Sequence, residues 1–435
     1  MNKNDTIDLT KWFLKRFGFL KKVIFESIDR LIYQKNSQFL LHPWNAHRCP
    51  FKVILFYNFF GRVLFGIREF LALISHGIIF QKNISLDGYN QKSNKNSNYE
   101  MLYPPSPLKK IQKNTVPTQF YKKMSLSLSL AYKIEEDNFD KTQEWDRIAH
   151  LFKKLYIDKE GNIIQSELIN FRNDPQIYQK LFNDQFTYID NSDGYYKSYL
   201  KSIDLVLEYH RYAKKIKKEI LASISESYAG ENCCPSYRGN RLSEKILFHS
   251  LIVNDIVENI NFNKEERNII FDIGSGYGGL ERVLYNYIPN SCFILLDLPE
   301  TLILSSYFIK YNFPDKKIAL LDDIVDRLDQ FEKLINEYDF IIIPPSVTKN
   351  IPDKSIDLVI NSASLAFMAD EYLEYYLKHI NRTLKQDSYF YSLNSEKNSK
   401  WGIGFYEWDF QGDYLTVMMN YNNRFSYAQW LGKKI

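Results

Sequence analysis

The sequence predicts an α/β fold: a doubly wound, mostly parallel sheet in the last third of the chain, preceded by a helical cap and a helical N-terminal extension. Three observations carry this. From Asn268 onward, apolar β-prone runs alternate with helical patterns, the sign of a sheet wound by crossover helices. A glycine-rich turn, Asp272-Ile-Gly-Ser-Gly-Tyr-Gly-Gly279, follows the first of these runs. The next run, Phe293 to Leu296, ends in an acid, Asp297.

The turn is the most informative segment. Asn268 to Phe271 leads into it, and glycines belong wherever the backbone needs unusual φ/ψ or must come close to a ligand. Leu280 to Tyr287 then has helical spacing. Asp297 lies 21 residues beyond Gly276, where an acid in a βαβ unit accepts hydrogen bonds from both ribose hydroxyls. The combination predicts a nucleotide-cofactor site. The glycines alone do not choose the cofactor: Gly274, Gly276 and Gly279 fit the dinucleotide spacing, while Gly274, Gly276 and Gly278 fit a tighter one. Asp272 helps to choose. A carboxylate at the mouth of the turn repels a pyrophosphate and attracts the ammonium and sulfonium of S-adenosylmethionine. A tight structural turn is the plainer reading of the same glycines, since the spacing alone is weak evidence.

These residues resemble class I S-adenosylmethionine-dependent methyltransferases, whose first motif looks like Asp-x-Gly-x-Gly-x-Gly and whose second strand ends in an acid. More narrowly, Asp272-Ile-Gly-Ser-Gly-Tyr-Gly278, Leu296-Asp-Leu-Pro-Glu-Thr301, Phe340-Ile-Ile-Ile-Pro344 and Asp357-Leu-Val-Ile-Asn-Ser362 are similar to a bacterial sugar O-methyltransferase family found with surface-polysaccharide genes. The resemblance spans residues 235 to 435. It implies S-adenosylmethionine as cofactor, held by Asp272, Gly274, Ser275, Gly276, Tyr277, Gly278, Asp297, Leu298 and Asn361. It also implies a sugar, nucleotide-sugar or lipid-linked glycan as methyl acceptor in surface glycan biosynthesis. Where that family commonly has an acid before a methionine, this chain has Phe367 before Met368, so the resemblance names no general base.

The methyl group of such a cofactor is already activated, so the protein must align an oxygen nucleophile and remove its proton. Asn361, ending the fourth strand where a doubly wound sheet presents its ligands, is a candidate positioning residue. His210, in the cap, and Asp370, first of the acids Asp370, Glu371 and Glu374, are candidates for moving the proton. A satisfied histidine and a solvated acidic helix face are the competing structural readings. The turn from Pro235 to Asn240 offers Tyr237 and Arg238 to a substrate and resembles a lid; a loop arginine suits a carboxylate or phosphate. No His, Asp or Glu spacing identifies a metal site.

Composition narrows the class. At 435 residues the chain exceeds one ordinary domain, and 45% hydrophobic with 25% charged residues suits a globular protein with a sizeable core. A net charge of +4 is too balanced to argue for a nucleic-acid partner. The four cysteines, Cys49, Cys233, Cys234 and Cys292, contain no C-x-x-C pair, which fits reduced thiols in a cytoplasm. The N-terminus lacks the uninterrupted apolar core of a signal peptide.

Residues 1–82 read as a helical extension. Residues 7 to 33 have the spacing of a basic amphipathic helix, and residues 53 to 80 are more apolar but broken by Arg62, Arg68 and Glu69, short of what a spanning helix needs. They either dock on the protein or a second copy, or lie on the inner membrane face as a peripheral anchor. Residues 83–117 are polar and read as a linker. Residues 118–262 read as a helical cap, with helices over Gln143 to Leu155 and Tyr196 to Ser223. Residues 263–435 form the sheet domain, with strands at residues 269–272, 293–297, 318–321, 340–343, 358–361 and 388–393, and Tyr414 to Tyr421 as an antiparallel edge. Two rival functions remain: a nicotinamide-dependent dehydrogenase or epimerase, and a catalytically silent methyltransferase-like subunit holding a partner enzyme.

Overall fold

A computed structural model describes residues 84–87, 114–135, 143–172, 205, 208–230, 234–237, 240–263, 265–396, 402–410, 412–422 and 427–435. The readings on residues 1–80 and on Arg238 lie outside them.

The first described element is a strand, β1 (Ile84–Asp87), within the stretch read as a linker. It pairs antiparallel with β2 (Cys234–Tyr237), which pairs in turn with β3 (Asn240–Arg241). That part of the stretch is β-structure because the hairpin at Tyr237 gives it an edge to bond. Helices α1 (Thr118–Glu135), α2 (Gln143–Tyr156), α3 (Gln165–Ile169) and α4 (Lys218–Ser223) lie between them in sequence. The single helix expected to reach from Tyr196 to Ser223 is broken: residues 208–212 are helical, a turn follows at 213–215, and α4 begins afresh at Lys218. The break has a tertiary cause. The Lys217 backbone N–H donates to Asn254 Oδ1 at 2.8 Å, a bond that continued helix would forbid.

Asn254 belongs to α5 (Glu244–Asn259), whose start is fixed by the Ser243 hydroxyl accepting from the Ile246 N–H at 3.0 Å. Then come β4 (Asn268–Ile273), α6 (Gly279–Leu284), β5 (Ser291–Leu296), α7 (Pro299–Asn312), β6 (Ile318–Ala319), α8 (Leu321–Ile324), α9 (Phe331–Glu337), β7 (Phe340–Ile343), β8 (Ile356–Ser362), α10 (Asp370–Thr383), β9 (Leu384–Ser395), β10 (Tyr414–Asn422) and β11 (Tyr427–Lys434).

The last eight strands form one sheet in the order β10-β11-β9-β8-β4-β5-β7-β6. Strands β4 to β9 are paired in parallel, whereas β11 runs antiparallel to both its neighbours, β9 and β10. The expected antiparallel edge is thereby corrected. Tyr414–Asn422 does lie at the edge, but the reversed strand is β11, inserted between it and β9. A hairpin return from β10 places the last strand antiparallel to it, and β9 offers that strand its open edge.

Strands β4, β5 and β7 are buried along their whole length, as continuous apolar runs must be when helices cover both faces of a parallel sheet. Phe271, Ile294 and Ile341 share one core with Ala131 of α1, so the first helix of the expected cap contributes to the core of the sheet domain. From β4 the chain winds one way through β5, β6 and β7 and then the other way through β8 and β9. The order reverses between β4 and β8, and a ligand crevice is expected at the carboxyl ends of the strands there.

Candidate active site

A cavity of about 220 Å³ opens at that point. Its floor is the turn after β4 (Asp272, Gly274 to Tyr277, Gly279), the end of β5 (Leu296 to Leu298, with Thr301) and the end of β8 (Ser362 to Ser364). Its walls come from farther away: Phe152 of α2, Lys245, Phe248 and His249 of α5, and Met368, Tyr372 and Tyr376 at α10.

The glycines are there for backbone reasons. Gly274 has φ +78° and Gly276 φ +59°, left-handed values that side-chain-bearing residues rarely adopt. A Cβ on Gly274 would also lie 2.3 Å from Ser364 Oγ, so the turn closes against β8 only without one. Opposite it, Ala363 carries φ +57° on the cavity wall, its N–H donating to the Leu393 carbonyl at 2.8 Å. Backbone in this region costs energy for alanine and is held by that bond.

Asp297 is fixed at both oxygens. Oδ2 accepts the Gly276 N–H at 2.8 Å and Oδ1 accepts the Leu298 N–H at 2.7 Å. Burial pushes its carboxyl up to about 7, against the pull of those two N–H groups and Thr301. Asp272 is 3% exposed and Glu281, on α6, 1% exposed. Burial pushes Asp272 up to about 6, and burial together with the charge of Asp272 holds Glu281 well above the ordinary carboxyl range. Of the two, Glu281 holds its proton the more strongly. Asp272 Oδ1 and both Glu281 oxygens have no hydrogen-bond partner among the described residues. A buried carboxylate left this way is costly. A cation entering the cavity relieves that cost, and an anionic pyrophosphate increases it.

Of the residues picked out in the sequence, Asp272, Gly274, Ser275, Gly276, Tyr277, Asp297 and Leu298 line the cavity. Gly278 stands behind the turn, facing Ile309. Asn361 does not line it. Fully buried, Asn361 donates from Nδ2 to the Ile273 carbonyl (2.6 Å) and Ser364 Oγ, and its Oδ1 accepts from Leu365 N–H (3.2 Å) and Asn394 Nδ2 (2.7 Å). Its amide is used within the protein, tying β4, β8 and β9 together, so the roles expected for it in catalysis and cofactor contact are corrected to a structural one. His210 is half-buried with its ring edge-to-face on Tyr209, and Asp370 is exposed in the first turn of α10; neither lines the cavity. Tyr237 lies in β2, paired with Ile84 and Asn240.

The sequence reading missed His249, Lys245, Phe152, Phe248, Tyr372, Tyr376 and Glu281. Glu281 had one signal, an acid two residues into a helix that starts on glycine. The others come from segments outside the cofactor motifs and meet only in the fold.

The strand order settles the architecture: six parallel strands wound both ways from β4, a reversed strand β11, and β10 outside it. The fold is that of a class I methyltransferase. No family model and no curated protein matches the chain. Among solved structures, it is similar to an S-adenosylmethionine-dependent methyltransferase from Aquifex aeolicus at 8% identity, over 42% of this chain and 89% of that one, with a TM-score of 0.27. An S-adenosylmethionine-dependent methyltransferase assignment from Methanococcus maripaludis matches at 17% identity over 42% and 83%, TM-score 0.26. A geranyl diphosphate methyltransferase in complex with its diphosphate and sinefungin matches at 11% over 43% and 77%, TM-score 0.30. The strand order, not these scores, carries the methyltransferase fold.

Proposed function

We propose that the chain is an S-adenosylmethionine-dependent O-methyltransferase that methylates a sugar hydroxyl in surface glycan biosynthesis, working in the cytoplasm. The observation that carries the cofactor is the meeting of the Gly276 turn with Asp297 beside the buried pair Asp272 and Glu281. Asp297 would hold the ribose hydroxyls and Asp272 would face the cationic end, while the turn glycines leave room for close approach. The cofactor supplies a methyl group already activated by its sulfonium. The chain's own tasks are to exclude water, to orient the acceptor oxygen and to take its proton.

The far wall supports a sugar acceptor, alongside the sequence resemblance. Phe152, Phe248, Tyr372 and Tyr376 offer flat apolar faces on which the C–H face of a sugar ring packs, with Lys245 within the same cavity for a phosphate or hydroxyl. Free nucleotide sugars and lipid-linked glycans both present such a ring. The nicotinamide reading is weaker, because a pyrophosphate would meet the acids at the turn. Residues 1–80 are proposed to serve self-association or peripheral membrane contact; among the described residues no helix is long and apolar enough to cross a membrane.

The test is transfer of label. Full-length protein is incubated with methyl-labelled S-adenosylmethionine and surface glycan from cells lacking the protein, and the glycan is hydrolysed and analysed by mass spectrometry. Label in an O-methyl sugar is the expected result. If nucleotide sugars, lipid-linked glycans and finished glycan from the same cells all stay unlabelled, the sugar acceptor is overturned.

A further inference from the structure

The cavity has an acidic half at the turn and a half formed by α2, α5 and α10. Among the described residues, the second half holds one imidazole, His249, one helical turn beyond Lys245. Its ring packs 6.1 Å from that of Tyr277 and 6.2 Å from that of Phe248, centroid to centroid. Its Cε1 lies so close to the turn that a Cβ on Gly279 would stand 2.7 Å away. The imidazole therefore overhangs the glycine turn, at the border between the two halves. With a cofactor seated on the acidic half, an acceptor in the other half would meet its methyl group at that border.

We infer that His249 is the group that receives the acceptor's hydroxyl proton. This rests on the methyl-transfer reading above. The other ionisable side chains on the wall are less suited. Asp297 holds two backbone N–H groups, and Asp272 is paired with Glu281. Lysine and tyrosine side chains ordinarily keep their protons at neutral pH.

Burial, more than the charges around the ring, keeps it neutral. Burial and then Lys245 push the imidazole down to about 3; Glu226 acts the other way, and Arg282 and Arg172 add to the lowering. At neutral pH the ring is thus uncharged, with a lone pair to offer. So low a value makes a weak base, but the acceptor oxygen becomes a far stronger acid as it gains the methyl group. The transfer balances: the oxygen's lone pair forms the new C–O bond, the C–S electron pair stays on sulfur, and the O–H proton passes to an imidazole nitrogen of His249. The imidazolium, unfavourable in this site, then returns its proton to solvent.

The experiment compares full-length His249→Gln and His249→Ala with the wild type and with His210→Gln, a histidine outside the cavity. Calorimetry with S-adenosylhomocysteine should give the same affinity for all within about threefold, because the polar groups proposed to hold the cofactor are Asp272, Asp297 and the turn backbone. Single-turnover methyl transfer to the unmethylated glycan should fall about 100-fold or more in both His249 variants and stay unchanged in His210→Gln. Added imidazole should restore part of the rate to His249→Ala. By nuclear magnetic resonance of 13C-labelled histidine, the ring of His249 should remain neutral down to about pH 5. Transfer by His249→Gln at near the wild-type rate, or a ring that protonates near neutrality, overturns the role of His249 alone. Loss of cofactor binding in the variants also overturns it, by placing His249 in the cofactor half. If the wild type itself transfers no methyl group, the underlying reading fails and the role fails with it.

Discussion

The Gly276 backbone N–H donates to the Asp297 side chain at 2.8 Å, across 21 residues of sequence. The glycine turn and the acid after the second sheet-domain strand are therefore one unit, and a change at either should be felt at the other. Asp297→Ala should weaken binding of S-adenosylmethionine and S-adenosylhomocysteine by about 1 to 3 kcal/mol, the cost of losing hydrogen bonds to a charged group. Calorimetry measures it, and NAD should give no binding heat. Unchanged affinity removes the ribose role of Asp297.

The same carboxyl sets a pH dependence. In the free protein it sits at about 7, raised by burial. Ribose hydroxyls donate to the ionised form, so binding expels a proton when the pH is below that value. Affinity should be highest above about pH 7 and fall as the pH drops, by up to tenfold per unit. Titrations in buffers of different ionisation enthalpy would count the released proton. Asp297→Asn should lose this part of the slope.

Gly276→Val should abolish cofactor binding while circular dichroism stays native. The position has φ +59°, which a β-branched residue does not tolerate, and the added side chain fills the turn. Normal binding by the variant would mean that the turn has no ligand.

Arg172 and Glu226 form a buried pair, with N–O distances of 3.0 and 2.8 Å, and Ser243 and the Ser227 N–H also donate to the Glu226 carboxylate. Burial alone would raise Glu226, but the Arg172 charge and hydrogen bond outweigh it and hold the carboxyl well below its usual range. This contribution is present above about pH 4.5 and is lost as the pH falls below it. Arg172→Met should cost about 3 to 5 kcal/mol in urea unfolding, because it removes the nearest cation from a buried carboxylate and leaves only Arg282, at 3.9 Å. The double variant Arg172→Met/Glu226→Met should lose less than the sum of the two single changes.

Asp255 works in the opposite direction. It lies buried between α5 and the sheet, accepting from Gln429 Nε2, and burial pushes it up to about 7, with Glu258 adding. An acid raised on folding stabilises the protein at low pH, and that stabilisation is lost as the pH rises from about 4 towards 7. Thermal unfolding of Asp255→Asn should be more stable than wild type near pH 8 and lose part of this slope. A slope identical to wild type would show that the group titrates normally.

If residues 1–80 contact a membrane, the full-length protein should sediment with anionic liposomes and be released by high salt, since screening shortens the reach of their lysines and arginines. Protein that stays in the supernatant at low salt supports docking on the protein itself or on a second copy.

Much of the cofactor half could be read from the chain because its information is local. Gly274, Gly276 and Asp297 lie at spacings dictated by one strand-turn-helix-strand unit, and backbone geometry demands their residue types. Asn361 was correctly placed at a strand end, but sequence position does not show which partners an amide finds. Here Ile273, Ser364, Leu365 and Asn394 claim it. The helix expected through Lys217 breaks for the same reason: periodicity reports a face, not the Asn254 side chain that takes the Lys217 N–H.

The sequence by itself determined the alternation of strands and helices, the glycine turn and the acid that meets it, since each depends on residues within one βαβ unit. Only the tertiary structure decided that β11 runs backwards between β9 and β10, that Glu281 is buried beside Asp272, and that Phe152, His249 and Tyr372 face one cavity. Those relations depend on packing between segments distant in the chain, where burial and partner geometry override local pattern.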